Sequence, residues 1–357
     1  KGMSEALIHK DKNLLKAIRF ERPDYIPMTF HINDACYNTY PREALFDLME
    51  EHRFLFPDFI RPSSSMRPDY LPNALAACPY TDSFGCVWKT VMDGITGTVV
   101  EHPLADWEAF ARYKMPDPDT SNGLMCVDWD EEKERIRRAR ETGNVIYGGL
   151  RHGHTFLQLC DLRGYENVVI DMVEEEPNLL VLIEQLEQFN MAIVNRYVDM
   201  GCDIITYAED LGLQSGPMLS PALFRRYIKP SYKRLMKPAR DKNIIIHMHS
   251  DGDIRLLIDD LIDDGINVIN LQDRVNGVDW IADRLGGKIC VDLDIDRQQV
   301  TASGSPEQID ALIHEEVTKI GGKDGGLTMI YGLYPGLPLK NVKALMDAME
   351  KYAFYYS

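Results

Sequence analysis

Cysteine is sparse and scattered in this sequence. The seven cysteines among 357 residues (Cys36, Cys78, Cys86, Cys126, Cys160, Cys202 and Cys290) are odd in number and never form a C-x-x-C pair. That pattern excludes a disulfide framework and an all-thiolate zinc knot, and it leads to the expectation of a reducing, cytoplasmic location. Long apolar runs are missing too: none approaches the ~20 residues needed to span a bilayer. The opening KGMSEALIHK has no apolar core of the signal-peptide kind, and Lys1 and Gly2 ahead of Met3 read as residues added for expression. Basic charge is in deficit, with 39 Lys and Arg against 56 Asp and Glu, a formal net charge of −17 and no basic block to offset it. A surface of that sign repels a phosphate backbone, so neither nucleic acid nor membrane is an expected partner. No G-x-G-x-x-G follows a strand, and G-x-S-x-G and H-E-x-x-H are absent. Dinucleotide-binding, serine-hydrolase and zincin readings therefore lack support.

What is present is an ordinary globular composition, 45% hydrophobic and 27% charged, long enough to build a core without covalent staples. Short β-rich runs recur: YIPMTF (25–30), VIYGGL (145–150), DIITYA (203–208), IIIHMH (244–249), VINLQ (268–272), KICVDLD (288–294) and GGLTMIYG (325–332). Amphipathic segments alternate with them from about residue 145 onward. Continuously apolar strands alternating with helices indicate a parallel sheet covered by helices. Ser220-Pro221 marks a helix start, Pro230 divides the stretch that follows, and Gly265 and Gly286-Gly287 sit where helices should stop. The expected fold is α/β, a single (β/α)8 TIM-like barrel over residues 1–357. It has an N-terminal helical lead-in (1–24) and a β-hairpin insertion (81–104). An open doubly wound sheet is the alternative.

Barrel enzymes place their chemistry at the C-terminal ends of the strands, and these ends are polar. The first runs into His31 and Asn33, the second into His152 and His154, and the third into Glu209-Asp210 and then Gln214. The fourth ends in His247, His249 and Asp251, the fifth in Gln272, the sixth in Asp292 and Asp294, and the last in Tyr331. His247 and His249 are two apart and so share one strand face, with Asp251 in phase if the strand persists. H-x-H-x-D at a strand end suits a metal; the bland alternative is one buried, hydrogen-bonded histidine with the other capping the barrel. Glu209 and Asp210 point opposite ways in extended chain, so one can face the pocket while the other grips backbone or a neighbouring helix. The expected metal ligands are His249, Asp251 and Glu209. Glu209, Asp210, His247, Asp294 and Tyr331 are the catalytic candidates, and His31, Asn33, His152, Gln214 and Gln272 the substrate-binding ones. Methionine and aromatic stripes in 179–200 read as core.

These residues carry a resemblance. Arg22-Pro23-Asp24-Tyr25-Ile26-Pro27 resembles the R-P-D-x-x-P opening of the uroporphyrinogen decarboxylase superfamily, and Leu162-Arg163-Gly164-Tyr165-Glu166-Asn167 its L-R-G-x-E-N segment. Glu209-Asp210-Leu211-Gly212 and Gly216-Pro217-Met218-Leu219-Ser220-Pro221 resemble its acidic strand end and G-P-x-x-S-P helix start. His249-Ser250-Asp251-Gly252-Asp253-Ile254 is similar to its H-x-C-G-x-I motif. Asp294-Ile295-Asp296-Arg297-Gln298 and Pro338-Leu339-Lys340-Asn341-Val342 resemble later signatures. The resemblance implies a barrel with one of two chemistries: cofactor-free decarboxylation of uroporphyrinogen, or zinc-dependent methyl transfer involving a corrinoid. Decarboxylases carry an arginine-rich loop after the first strand, but Thr29-Phe30-His31-Ile32-Asn33-Asp34 has no arginine, so a polycarboxylate would lack its clamp. The methyltransferase histidine maps onto His249 and its first cysteine onto Asp251. Its second cysteine falls near Tyr331 or Gly332, where no cysteine stands. A His/Asp/Glu set still suits zinc, admits harder metals and favours polarisation of an oxygen.

The sequence thus resembles a divergent member on the methyltransferase side. Such a member would demethylate a small ether or amine, with Glu209 or Asp210 as acid, and deliver the methyl group to the cobalt of a separate corrinoid protein. A metal-free decarboxylase and a non-catalytic small-molecule-binding barrel are the alternatives. A homodimer is compatible with the sequence, which leaves the oligomeric state open.

Overall fold

The computed structural model describes residues 10–63 and 65–357; the expectations made for residues 1–9 lie outside them. Each of the seven β-rich runs forms a strand: β1 (Met28–Ile32), β2 (Tyr147–Gly149), β3 (Ile204–Ala208), β4 (Ile245–His249), β5 (Val268–Gln272), β6 (Cys290–Asp294) and β7 (Leu327–Leu333). The strand pairings with a resolved register among these seven are parallel, and the fold is of the α/β, TIM-like class. The described residues supply seven parallel strands where the sequence reading counted on eight. No helix among them is long and apolar enough to cross a membrane.

The chain divides into two compact units. One comprises the described residues up to Ala77 with Thr90–Gly97 and Leu271–Ser357, and the other Cys78–Lys89 with Thr98–Asn270. In the first, β6 and β1 both pair with β7, in registers such as Leu293↔Met329 and Phe30↔Tyr331. In the second, β2 pairs with β3, β3 with β4, and β4 with the start of β5. Burial explains why strands here are apolar without alternation: Ile204, Ile205, Tyr207, Ile245, Ile246 and Met248 are all buried, as expected in a TIM-like sheet, where helices cover one face and packed side chains fill the other.

The helices start where local chemistry allows. Pro221 opens Pro221–Tyr227, and the Ser220 side chain accepts from Leu223 N at 3.2 Å. Pro230 does divide the stretch: Pro221–Tyr227 ends and Lys229–Asp241 begins beside it, with the proline in the first turn, where its missing N–H costs nothing. The helix Pro177–Asp199 buries Leu179, Leu182, Ile183, Leu186, Phe189, Ile193 and Val194, so its core stripe is aliphatic with Phe189, while Met191 and Tyr197 are only half-buried. The insertion is richer than a hairpin. It has three antiparallel strands, Tyr80–Thr81, Val87–Lys89 and Thr98–Glu101. Its turn is pinned by buried Asp82, which accepts from Phe84 N, Cys86 N and Trp88 Nε1 at 3.0, 2.9 and 2.9 Å.

Candidate metal centre beyond three strands

Within the second unit three strand ends meet. His249 closes β4, Asp210 lies just past β3, and His152 lies just past β2. Their ligand-type atoms all fall within 4.8 Å of one another, the one such grouping of three among the described residues. Asp210 bridges the two imidazoles: its Oδ2 is 3.3 Å from His152 Nε2 and its Oδ1 3.4 Å from His249 Nε2. Oδ1 also accepts the backbone N–H of Asp251 at 3.1 Å. The Asp251 carboxylate sits at the edge of the cluster, its Oδ1 3.5 Å from His249 Nε2 and shielded from solvent without a hydrogen-bond partner.

The other ring nitrogen of His249, Nδ1, donates to Asn270 Oδ1, which places a proton there and aims Nε2 at the cluster. Burial by itself pulls this imidazole down. The Asp210 hydrogen bond, the Asp251 charge and the Asn270 acceptor outweigh burial and raise it to about 9. For Asp210, burial pushes upward, but hydrogen bonds from His152 and His249 hold the carboxyl well below the usual range. The arrangement is therefore an anionic carboxylate between two nitrogens, held by protons where no cation replaces them.

Glu209 points elsewhere. Its Oε1 accepts from Thr155 N (3.1 Å), Phe156 N (2.6 Å) and Tyr232 OH (2.8 Å), and its Oε2 from Leu157 N (3.1 Å). Fully buried, it satisfies the first amides of the helix Phe156–Arg163 and stands outside the cluster. Burial pushes its carboxyl up to about 7 against those donors. The adjacent carboxylates thus take the two directions that alternation requires: Glu209 grips backbone and Asp210 faces the histidines. His154 is buried, near Tyr207 and Tyr232, and burial drives it down to about 3, so it is a neutral core histidine.

The remaining expected residues are spread out. His247 sits two residues deeper on β4, across from Thr206 and Val268. Gln214 is exposed at the turn of the small hairpin Gly212–Leu213 and Gly216–Pro217. His31, Asn33, Gln272, Asp294 and Tyr331 belong to the other unit. There, Asn33 bonds Gly94 O and Ala35 N, and Asp294 lies 3.5 Å from Arg297. Tyr331 is 1% exposed, donates to Thr301 Oγ1 at 3.4 Å, and is pushed by burial up to about 12. Sequence reasoning missed Asn270. The sequence shows it only as an amide in the middle of the apolar run VINLQ; its place directly across from His249 appears in the register alone.

Comparison with known proteins is consistent with the motifs. The family model described as uroporphyrinogen decarboxylase (URO-D) matches residues 9–352. A methylcobamide:CoM methyltransferase MtaA of Methanosarcina barkeri is 26% identical over 168 residues, 45% of this chain and 45% of that protein. A uroporphyrinogen decarboxylase of Synechococcus sp. (strain CC9605) is 27% identical over 188 residues, 51% of this chain and 50% of the relative. The chain spans about half the length of the curated relatives it matches. Among solved structures, a methyltransferase from Methanosarcina mazei aligns over 96% of this chain and 98% of its own, with a TM-score of 0.61 and 18% identity, a likeness of fold.

Proposed function

Because the chain belongs to the uroporphyrinogen decarboxylase family, we propose that it is a metal-assisted methyltransferase of that family, moving a methyl group between a small methylated substrate and a corrinoid carried by a separate protein. The observation that supports this reading is the convergence of His152, Asp210 and His249 within 4.8 Å. The donor set fits zinc or a similar divalent ion: two imidazole nitrogens, one bridging carboxylate, and a second carboxylate whose buried Oδ1 has no hydrogen-bond partner. Such an ion, when bound, supplies Lewis acidity toward a substrate oxygen or sulfur. The chain's own residues do the rest of the work at this site. Asn270 holds the Nδ1 proton of His249 and keeps Nε2 directed at the cluster. Asp210 balances positive charge between the two rings. The arginine-free stretch Thr29–Asp34 argues against an octacarboxylate substrate.

The test combines elemental analysis of protein prepared without a histidine tag with a spectroscopic assay for cob(I)alamin methylation by small methyl ethers and amines. About one metal ion per chain and formation of methylated corrinoid would establish the reading. Metal-free protein that releases carbon dioxide from a small acid would replace it with the decarboxylase alternative.

One consequence concerns pH. The proton on His249 Nε2 must leave before a metal binds, and this group titrates at about 9. Apparent zinc affinity should therefore rise about tenfold per pH unit from neutrality and level off near pH 9. Chelator-competition titrations from pH 6.5 to 9.5 would show it; a flat profile would mean that His249 is not a ligand. In metal-free protein the sign reverses for stability. The raised folded value makes this group's contribution complete below the unfolded value near 6.5, and it disappears as pH climbs through about 9.

A further inference from the structure

The two loops that carry Asp210 and Asp251 are zipped together beyond the last strand pair, Ala208↔His249. Glu209 N donates to His249 O at 2.9 Å, Leu211 N to Ser250 Oγ at 2.9 Å, Gly212 N to Asp251 O at 3.2 Å, and Asp253 N to Leu213 O at 2.7 Å. Ser250, fully buried, also donates to Asp251 O at 3.0 Å. At the crossing the backbones of Gly212 and Gly252 touch with no side chain between them. A Cβ on Gly252 would lie 2.1 Å from Gly212 C and 2.2 Å from Gly212 O; one on Gly212 would lie 2.5 Å from both Asp253 N and Gly252 C. These are backbone atoms, which cannot swing aside as a flexible side-chain end can. Gly252 also has φ +80°, a left-handed value that L side chains rarely adopt. Gly212 has no such φ, so an added methyl there acts through contact alone.

We propose that this glycine crossing is the positioning device of the metal centre: Gly212 and Gly252 set the separation of Asp210 and Asp251 around His249 Nε2. The inference rests on the metal-centre reading above. Each carboxylate lies within two residues of the crossing, and the Asp251 N–H to Asp210 Oδ1 bond ties the two directly. A methyl group that forces the loops apart must lengthen that bond and move both carboxylates relative to the ring. Supporting groups of this kind typically tune metal affinity about ten- to a hundredfold.

Cobalt(II) titration of the metal-free full chain tests it, read by the visible d–d spectrum at saturation and by chelator competition. Gly212→Ala should bind cobalt about tenfold more weakly than wild type, with a shifted d–d band. Wild-type affinity and an unshifted band in that variant would overturn the proposal and leave the crossing a packing feature only. Should Gly212→Ala not fold, Ser250→Ala decides. It deletes one link of the same zipper without adding bulk, so weaker cobalt binding supports the proposal and unchanged binding overturns it. Absence of cobalt binding by the wild type would overturn the metal-centre reading itself, and this inference with it, before any variant is compared.

Discussion

Asp210→Ala is expected to empty the metal centre, taking bound zinc from about one ion per chain to near none and weakening affinity by more than about a hundredfold. Among the described residues Asp210 is the one carboxylate grouped with both imidazoles, at 3.3 Å from His152 and 3.4 Å from His249. Removing it leaves the two rings, with centroids 5.7 Å apart, without the carboxylate between them, and Asp251 beside His249 alone. Asp210→Asn separates charge from shape: an amide oxygen can still accept the Asp251 N–H, so the loop should persist while metal affinity falls. In metal-free Asp210→Asn, the His249 imidazole should titrate well below about 9, because the largest influence raising it is gone. NMR titration of the ring protons measures this. Glu209→Gln is the internal control. Its side chain serves Thr155, Phe156, Leu157 and Tyr232, so zinc stoichiometry should stay at the wild-type value while thermal stability drops. Zinc lost in Glu209→Gln but kept in Asp210→Ala would refute the arrangement described here.

The strands were legible because a parallel sheet buried on both faces writes itself as uninterrupted apolar runs. Ile204–Ile205 and Ile245–Ile246 are buried on both sides, and no competing period obscures them. The face of His249 was legible from alternation within β4. Alternation ends with the strand, however, and the direction of His152, three residues past Gly149, depends on how its loop turns. The choice between Glu209 and Asp210 was likewise open to parity, which says only that they diverge. What decides it is tertiary: four donors, among them the N-cap amide of Thr155 and the first two amides of the helix Phe156–Arg163, wait on the Glu209 side. Asn270 was hidden for a different reason, since its role exists only across the register with His249. The insertion was read as one hairpin because its third strand, Thr98–Glu101, is mostly exposed and carries little of the apolar pattern that marks the others.

Arg163→Met should be the most destabilising single change outside the metal centre, costing about 3–5 kcal/mol because it strands a buried carboxylate. Arg163 ends the helix whose first amides Glu209 holds, so it anchors the element directly after the His152 loop. Its side chain is 5% exposed and that of Asp171 9%. The guanidinium donates from Nε to Asp171 Oδ2 at 3.0 Å and from Nη2 to Oδ1 at 3.2 Å. Nη1 donates to the carbonyls of Leu104 and Ala105 at 2.7 and 2.9 Å, and the plane lies 4.1 Å from the Trp107 ring centroid. Methionine matches the stem but satisfies none of these acceptors. Asp171 would keep only Trp107 Nε1 at 3.2 Å, too little to hold a charge out of water. Urea denaturation of the metal-free protein reads the loss as a lowered midpoint. The double variant Arg163→Met/Asp171→Leu should recover more than about 1 kcal/mol of it, since the stranded charge leaves with the second change. A loss in Arg163→Met below about 1 kcal/mol would show that Asp171 regains water when its partner goes, and that the segment around Trp107 opens more readily than its packing implies.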